Sequence, residues 1–274
     1  MGQKSNPNSF QLSNKTAITS GSNHNTLEYS TLLKEHLNVS SNLISFFEKN
    51  SCLVKDCFFV INNEKSFVTL FINFFVLKRS KSLKHSGNLS VVDSDVSLFV
   101  QKFFNILSKF GYFSSKRLVL QNLNKIAFKY QKTFFSGEHL FLKKELSMFS
   151  KEIYFESGLF LFCLMNTTKN TSSLIAKFIA RFFKIFHRTK KINKFLLFLL
   201  KFIENVNNLR FQNNKIKGLK IQIKGRFKGD PRSKVRTFSK GRIPLQTISS
   251  HINYSLTHIN TSYGIFGVKV WVFE

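Results

Sequence analysis

Near the C-terminus, apolar and polar side chains alternate strictly in the segment GLKIQIKGR. Leu219, Ile221 and Ile223 fall on one side of an extended chain, and the polar residues between them fall on the other. Such a strand buries one face and leaves the other in water. Three later segments, KVRTF, TISSHINY and GVKVWVF, also have a strand-like composition, and two helical segments precede the first strand. This order predicts an α+β domain in which two helices pack on one face of a four-stranded sheet.

The first helical segment, NTSSLIAKFIARFF, begins with hydroxyl residues that can cap a helix. Its apolar residues recur at helical spacing and predict one buried face: Leu174, Ile175, Phe178, Ile179, Phe182 and Phe183. In the last strand, Val268, Val270 and Val272 are predicted to face the helices, with Lys269 and Trp271 on the opposite side. Trp271 is expected to pack within the sheet rather than to stack on a nucleobase.

The rest of the chain changes composition from part to part. Residues 27–49 have apolar positions at helical spacing, and strand patterns lie on both sides of Asn62-Asn63, which predicts a helix and a hairpin. Residues 93–107 also have a helical pattern, whereas 108–168 has no clear assignment. The predicted divisions are an extended polar arm at 1–26, an α/β unit at 27–79, an expansion at 80–168 and the α+β domain at 169–274.

Positive charge limits the class of partner. Lys and Arg number 42 against 14 acidic residues, for a formal net charge of +28. Self-repulsion of this size disfavours a compact free protein, so nucleic acid is the leading partner and an anionic membrane surface is the second. The hydrophobic fraction of 43% excludes a disordered basic tail. Because every apolar run is well short of the ~20 residues that span a bilayer, no membrane partner is expected. No homo-oligomer is expected either.

The basic residues are concentrated in 177–201 and 215–242, and Asp230 is the only acidic residue between 205 and 273. A run of charge is often only a solvated face, but the uniform sign here favours phosphate binding. The residues expected to bind RNA in these runs are Lys184, Lys190, Lys194, Lys224, Arg226, Lys228, Arg232, Lys234, Arg236, Lys240 and Arg242. No base-reading motif is present, so recognition of RNA shape and backbone is expected.

The sequence has no pattern typical of a catalytic or metal site. Cys52 and Cys57 are poorly spaced for zinc, and both of them and Cys163 are expected to be buried thiols. His251 and His258 are expected on the surface. No paired carboxylates, nucleophile–base set or phosphate loop occurs, so the chain is predicted not to be an enzyme and to need no cofactor or metal.

The segments GLKIQIKGR, KGRIP and YGIFGVKVWVF resemble the C-terminal domain of the small-subunit ribosomal protein three ("S-three") family. The opening MGQKSNPNSFQL is similar to the opening of the same family. The resemblance implies a KH-type fold for the α/β unit. A KH domain grips nucleic acid with a Gly-x-x-Gly loop, and the residues after FINFFV contain none. A degenerate KH-like unit that does not bind RNA in the KH manner is therefore expected.

This resemblance implies a structural constituent of the small ribosomal subunit, in its head on the mRNA entry side. The implied partners are small-subunit rRNA, mRNA and neighbouring head proteins, and Gln3 and Lys4 join the predicted rRNA-binding residues. In the family, the junction between the two helices projects basic residues into the mRNA entry channel. Alignment on Phe186 places His187, Arg188 and Lys191 there. The alternative is that this junction is only one more part of the rRNA-binding surface.

Composition also suggests a compartment. Phe, Lys, Asn and Ile, which have A/T-rich codons, are abundant, and the N-terminus is not an Arg-rich amphipathic transit peptide. We expect an organelle-encoded protein of the mitochondrial matrix, with the plastid as the alternative. The competing function is a free RNA- or DNA-binding regulator built on a KH scaffold. The missing loop and the high charge of the chain argue against that regulator.

Overall fold

The computed structural model describes residues 6–10, 26–62, 67–77, 115–126, 143–168, 170–189, 191–208 and 216–274. The chain forms two compact units, Ile18–Leu123 and the combination of Met1–Ala17 with Asn124–Glu274. Each unit combines helices with a β-sheet, which confirms the predicted α+β class. The helix predicted at 93–107 lies outside the described residues.

The described residues of the unit Ile18–Leu123 form one long helix and a three-stranded sheet. Its elements are α2 (Thr26–Lys49), β1 (Cys52–Asn62), β2 (Phe67–Val76) and β3 (Ser115–Asn122), and α2 contacts β1. Strands β1 and β2 pair antiparallel, with Asn62 opposite Phe67, which confirms the predicted hairpin. Strand β3 pairs parallel with β2, a pairing that requires a crossover connection. The helix predicted in residues 27–49 is the continuous α2.

The core of this unit follows helical spacing along α2. Val39, Leu43 and Phe47 are buried at successive turns and cluster with Val54 and Ile72 of the hairpin. Leu37, which the same apolar pattern includes, is exposed on the other side of α2. One helix face therefore covers the sheet, as an amphipathic helix requires.

The second unit contains the predicted four-stranded sheet. Its elements are α3 (Tyr154–Thr167), α4 (Ser172–Phe186), α5 (Lys191–Asn208), β4 (Gly218–Gly225), β5 (Lys234–Gly241), β6 (Ile252–Thr261) and β7 (Gly264–Phe273). The strands are antiparallel in the order β5-β4-β7-β6. Helix α4 contacts β6 and β7, and α5 contacts β4 and β5. Two helices on one sheet face are thus confirmed.

The alternation along β4 and β7 sorts their side chains as predicted. Leu219, Ile221 and Ile223 have no exposed area, and they pair across the strands with Val272, Val270 and Val268, which are equally buried. On the opposite face, Trp271 is 8% exposed, with its ring 5.4 Å from that of Tyr254 and 5.3 Å from Nζ of Lys220. Trp271 therefore packs within the sheet surface, and it is not free to stack on a base.

Helix α3 was not predicted. Its side chains are apolar almost all round, so it has no helical stripe of polar residues to reveal it. Tyr154, at its first position, is fully buried among Phe149, Phe182, Phe195 and Phe198. Within the described residues its hydroxyl has no hydrogen-bond partner, and burial raises the pKa of this phenol.

At the start of α4, the backbone hydrogen bond of the predicted cap is formed, but the side-chain hydrogen bond is not. Thr171 occupies the N-cap position, and its carbonyl accepts a hydrogen bond from the backbone N–H of Ile175. Its side-chain oxygen makes no capping bond and is buried without a partner in the described part of the chain. Packing of the apolar face, in which Leu174 and Phe178 are buried, rather than a side-chain cap, holds the start of this helix.

The extended form predicted for residues 1–26 does not hold at Pro7–Phe10, which form one helical turn, α1. Proline at the first helical position loses no hydrogen bond and already has a helical φ. The backbone N–H of Ser9 donates to the carbonyl of Asn6 at 3.1 Å, and α1 contacts β6. Residues Pro7–Phe10 therefore form a helical turn that packs against the sheet.

The thiol prediction is confirmed for two of the three cysteines. Cys52 and Cys163 are buried, and burial raises the pKa of each thiol to about 11. Cys57 is half-buried. None of the described helices is both long and apolar enough to cross a bilayer.

Gly225 ends β4 directly against the ring of the buried Phe266, where a Cβ atom would clash. We expect Gly225→Ala to lower the free energy of unfolding by about 1–3 kcal/mol, the cost of overpacking a core. The matched control is Gly267→Ala on β7, because nothing lies within 4 Å of its added Cβ. Urea unfolding of both variants checks this; equal stability of the two would contradict the packing argument.

Candidate nucleic-acid interface

The basic residues of 215–242 do not form a single surface. Lys220 and Lys224 alternate with the buried residues of β4 and lie on the sheet face away from the helices, together with Lys269 of β7. We call this face, formed by Lys220, Gln222, Lys224 and Lys269, the open face. The cross-strand partners Gln222 and Lys269 place an amide between these ammonium groups.

On the edge strand β5, the basic residues point the other way. Arg236 and Lys240 pair with the buried Ile223 and Leu219, so they share the helix-covered side of the sheet. Both side chains stay exposed because β5 lies at the edge of the sheet. Charged side chains on an edge also oppose pairing with another strand.

A second basic surface forms where three connections meet at one end of the sheet. These are the α4–α5 junction (187–190), the β4–β5 connection (226–233) and the β6–β7 turn (262–263), and we call their described residues the loop end. The ring of Tyr263 lies 5.8 Å from that of His187, edge to face. The same ring borders Gly229, whose added Cβ would come within 3.3 Å of it. Tyr263 therefore lies between the helix junction and the β4–β5 connection.

Three buried rings hold the loop end from below. Phe183 of α4, Phe227 of the β4–β5 connection and Phe266 of β7 contact one another at centroid distances of 5.0 to 5.9 Å. The guanidinium of Arg236 lies 4.8 Å from the centre of the Phe227 ring. Aromatic contacts of this kind fix the connections while leaving their basic side chains outside.

Asp230, the one acidic residue of the loop end, forms an ion pair with a neighbouring lysine. A carboxylate oxygen of Asp230 lies 2.6 Å from Nζ of Lys234, and its backbone carbonyl accepts a hydrogen bond from Nε of Arg226. The pKa of Asp230 is lowered, chiefly by the hydrogen bond from Lys234 and further by the charges of Lys234, Lys228 and Arg236. Asp230 thus stays ionised and organises basic residues without cancelling the excess charge.

A continuous helix would put Arg188 and Lys191, three residues apart, on one face, but the junction is not one helix. Arg188 lies in the turn after α4, and Lys191 is the first residue of α5, so the two do not share one helix. Both are exposed, whereas His187 is half-buried. The predicted residue Lys190 lies outside the described residues, as do Gln3 and Lys4.

Apart from the half-buried His187, the predicted RNA-binding residues that the structure describes are all exposed. The loop end, with the adjoining helix turns and the start of β5, holds Lys184, Lys191, Lys194, Arg226, Lys228, Arg232 and Lys234. Lys224 lies on the open face, and Lys240 and Arg242 lie at the opposite end of β5. Lys220, Lys269, Ser262 and Tyr263 were missed. Strand alternation could have added the two lysines, whereas nothing local identifies the two turn residues.

The loop end is suited to binding anions. Guanidinium and ammonium groups, separated by neutral backbone, match the spaced charges of a phosphate chain. The described residues contain no group of three His, Cys, Asp or Glu side chains that could hold a metal ion. His187 uses Nδ1 on the carbonyl of Lys184 and Nε2 on Ser262, so its ring is engaged in local hydrogen bonds.

Comparison with known proteins shows what this architecture is similar to. Residues 202–272 match the family described as ribosomal protein S3, C-terminal domain. This part of the chain is therefore similar to an S3 C-terminal domain. The match includes the end of α5, all four strands and two of the three connections of the loop end. The α4–α5 junction precedes the matched residues.

Proteins similar to this chain are named as small ribosomal subunit proteins. Small ribosomal subunit protein uS3c of Angiopteris evecta is 52% identical over 59 residues, 22% of this chain and 27% of the relative. The uS3c of Chlamydomonas moewusii is 42% identical over 74 residues, 27% of this chain and 9% of the relative. The uS3 of Blochmanniella floridana is 45% identical over 58 residues, 21% of this chain and 25% of the relative.

The matched part spans less than a third of the length of these relatives. Most relatives are the chloroplast form, uS3c, and the resemblance is therefore not specific to mitochondria. All are named as ribosomal subunit proteins, in agreement with the prediction that the chain is not an enzyme.

Lys224 and Lys234 allow a sharp test of phosphate binding by the four-stranded sheet and its connections. Lys224→Ala removes a cation of the open face, whereas Lys234 is already paired with Asp230. With an RNA fragment of the small-subunit head, Lys224→Ala should reduce the slope of log affinity against log salt by roughly one. Lys234→Ala should reduce it less. Equal slopes for Lys224→Ala and the unsubstituted chain would mean that the open face is only solvated.

Proposed function

We propose that this protein is a structural constituent of the small subunit of an organellar ribosome, in the head on the mRNA entry side. The observation that carries the proposal is the coincidence of the S3 match over residues 202–272 with the sheet whose connections form the basic loop end. A net charge of +28 on a folded α+β protein favours a permanent polyanionic partner over a free existence.

Small-subunit rRNA is the proposed principal partner. The open face and the loop end offer exposed cations on a rigid sheet, and the only acidic residue from 205 to 273 is paired internally. Contacts to phosphates by such groups give affinity without reading the sequence. Neighbouring head proteins are proposed as further partners, and Gln3 and Lys4 as further rRNA contacts, on the resemblance alone.

The organelle is the finer part of the proposal. Composition led to a mitochondrial expectation, but most of the relatives are the chloroplast form. The relatives therefore favour the plastid over the mitochondrion. The proposal for translation is the same in both compartments.

Sedimentation tests ribosome membership and the compartment together. Lysates of isolated plastids and of isolated mitochondria are resolved on sucrose gradients after a high-salt wash, and the protein is followed with an antibody. We expect salt-resistant co-migration with the small subunit in one of the two, the plastid. A slowly sedimenting free pool in both would contradict ribosome membership and support the free regulator.

We also propose that the helix junction contacts mRNA where it enters the subunit. Arg188 lies in the loop end, and Lys191 directly follows this segment; both are exposed. His187 precedes Arg188 in the loop end. In the family an arginine occupies the position of His187, so one guanidinium of the family's contact is absent here. The sequence resemblance at FHRTKK supports this role.

The test replaces both Arg188 and Lys191 by alanine and compares translation of a hairpin-bearing message with that of an unstructured one. We expect a selective loss on the hairpin message, because basic contacts at the channel hold the strand that is being unwound. The double variant Lys143→Ala/Lys144→Ala is the matched charge control, because both lysines are exposed and neither is predicted to bind RNA. Equal loss on both messages would assign the junction to rRNA binding alone.

A further inference from the structure

Ser262, in the β6–β7 turn, connects two of the side chains proposed to contact the message. Its Oγ lies 3.1 Å from Nε2 of His187 and 3.1 Å from Nε of Arg188. Nδ1 of His187 lies 2.8 Å from the carbonyl oxygen of Lys184. These groups form one continuous hydrogen-bonded chain from the last turn of α4 to the sheet.

The chemistry of the groups gives the direction of each bond. A carbonyl oxygen only accepts, so Nδ1 of His187 carries a proton and donates a hydrogen bond to the backbone carbonyl oxygen of Lys184. In the neutral ring, Nε2 is then an acceptor, and the hydroxyl of Ser262 donates to it. The oxygen of the same hydroxyl accepts from the Nε–H of Arg188. Donors and acceptors match throughout, and one hydroxyl is the link between the two side chains.

This link leaves Arg188 able to bind a ligand. With Nε bound to Ser262, both terminal amino groups of the guanidinium stay available, and the side chain is exposed. The ring of Tyr263 supports His187 edge to face at 5.8 Å, so the partner of Ser262 is itself held in place. A guanidinium held in one orientation loses less rotamer freedom when it meets a phosphate.

We propose that Ser262 is a positioning residue that holds Arg188 in the orientation in which it binds message phosphates. The inference rests on the proposed contact of the helix junction with mRNA. It adds to that function a residue distant in sequence, which acts through Arg188 and His187 rather than on the RNA itself.

The test uses ribosomes that carry the full chain with single substitutions. Ser262→Ala should lower the ratio of hairpin to unstructured translation about three-fold, the effect of losing one ordinary hydrogen bond. Ser262→Thr keeps the hydroxyl and should restore the ratio. Ser239→Ala removes an exposed hydroxyl of β5 and should change nothing. A ratio unchanged by Ser262→Ala, while Arg188→Ala lowers it, would overturn the inference and leave the proposed function intact.

Coupling separates positioning from a general structural effect. If Ser262 acts through Arg188, adding Ser262→Ala to Arg188→Ala should cause no further loss, whereas independent effects would multiply. A double variant whose fold-loss equals the product of the two single fold-losses would contradict the proposal.

A spectroscopic measurement tests the hydrogen-bonded chain itself, independently of translation. Long-range ¹H–¹⁵N spectra of the histidine-labelled full chain show which nitrogen of His187 is protonated in the neutral ring, with His187→Gln for assignment. We expect the proton on Nδ1, and a redistribution in Ser262→Ala. A proton on Nε2 in the unsubstituted protein would overturn the inference.

Discussion

Burial of one sheet face under α4 and α5 is the contact on which the geometry of the C-terminal unit depends. The fully buried side chains of β4 and β7 in this contact are Leu219, Ile221, Ile223, Val268, Val270 and Val272. Burying each stabilises the fold by about 1.5–3 kcal/mol, and together they contribute on the order of 10 kcal/mol. An exposed ion pair such as Lys234–Asp230 contributes far less, because water screens its charges. The connections of the loop end therefore keep their geometry because the sheet is packed, and the polar contacts refine it.

The same packing determines how the excess positive charge is held. Lys217, Lys220 and Arg236 each lie over an aromatic ring, at 5.2, 5.3 and 4.8 Å from the ring centres. Such contacts are worth about 0.5–1 kcal/mol at exposed positions. A ring orients a cation without neutralising it, in contrast to a carboxylate. The protein thus arranges basic side chains on a rigid surface and keeps their charge for a polyanion.

Helix α3 shows where pattern-based prediction fails. Its residues, YFESGLFLFCLMNT, are mostly apolar, and a helix that is apolar all round has no periodic signal. The buried cage of Phe149, Phe182, Phe195 and Phe198 around Tyr154 combines three elements that are separate in the sequence. Strand β3 was also not predicted, because its parallel pairing with β2 joins residues that are far apart in the chain.

The sequence by itself determined the elements with a regular period. The alternation of Leu219, Ile221 and Ile223 specified a strand with one buried face, and the helical spacing of Leu174 and Phe178 specified the helix that covers the sheet. It also determined the excess of positive charge, because that is a property of composition. These features are local, and each period predicts which side of an element avoids water.

Only the tertiary structure decided which basic residues lie together. Strand order and register put Lys220, Lys224 and Lys269 on the open face and turned Arg236 to the helix side of the edge strand. The contact of Ser262 with Arg188, 74 residues away, also depends on how the β6–β7 turn packs beside the end of α4. Local periodicity contains no information about such pairings, because they arise when the buried faces of distant elements meet.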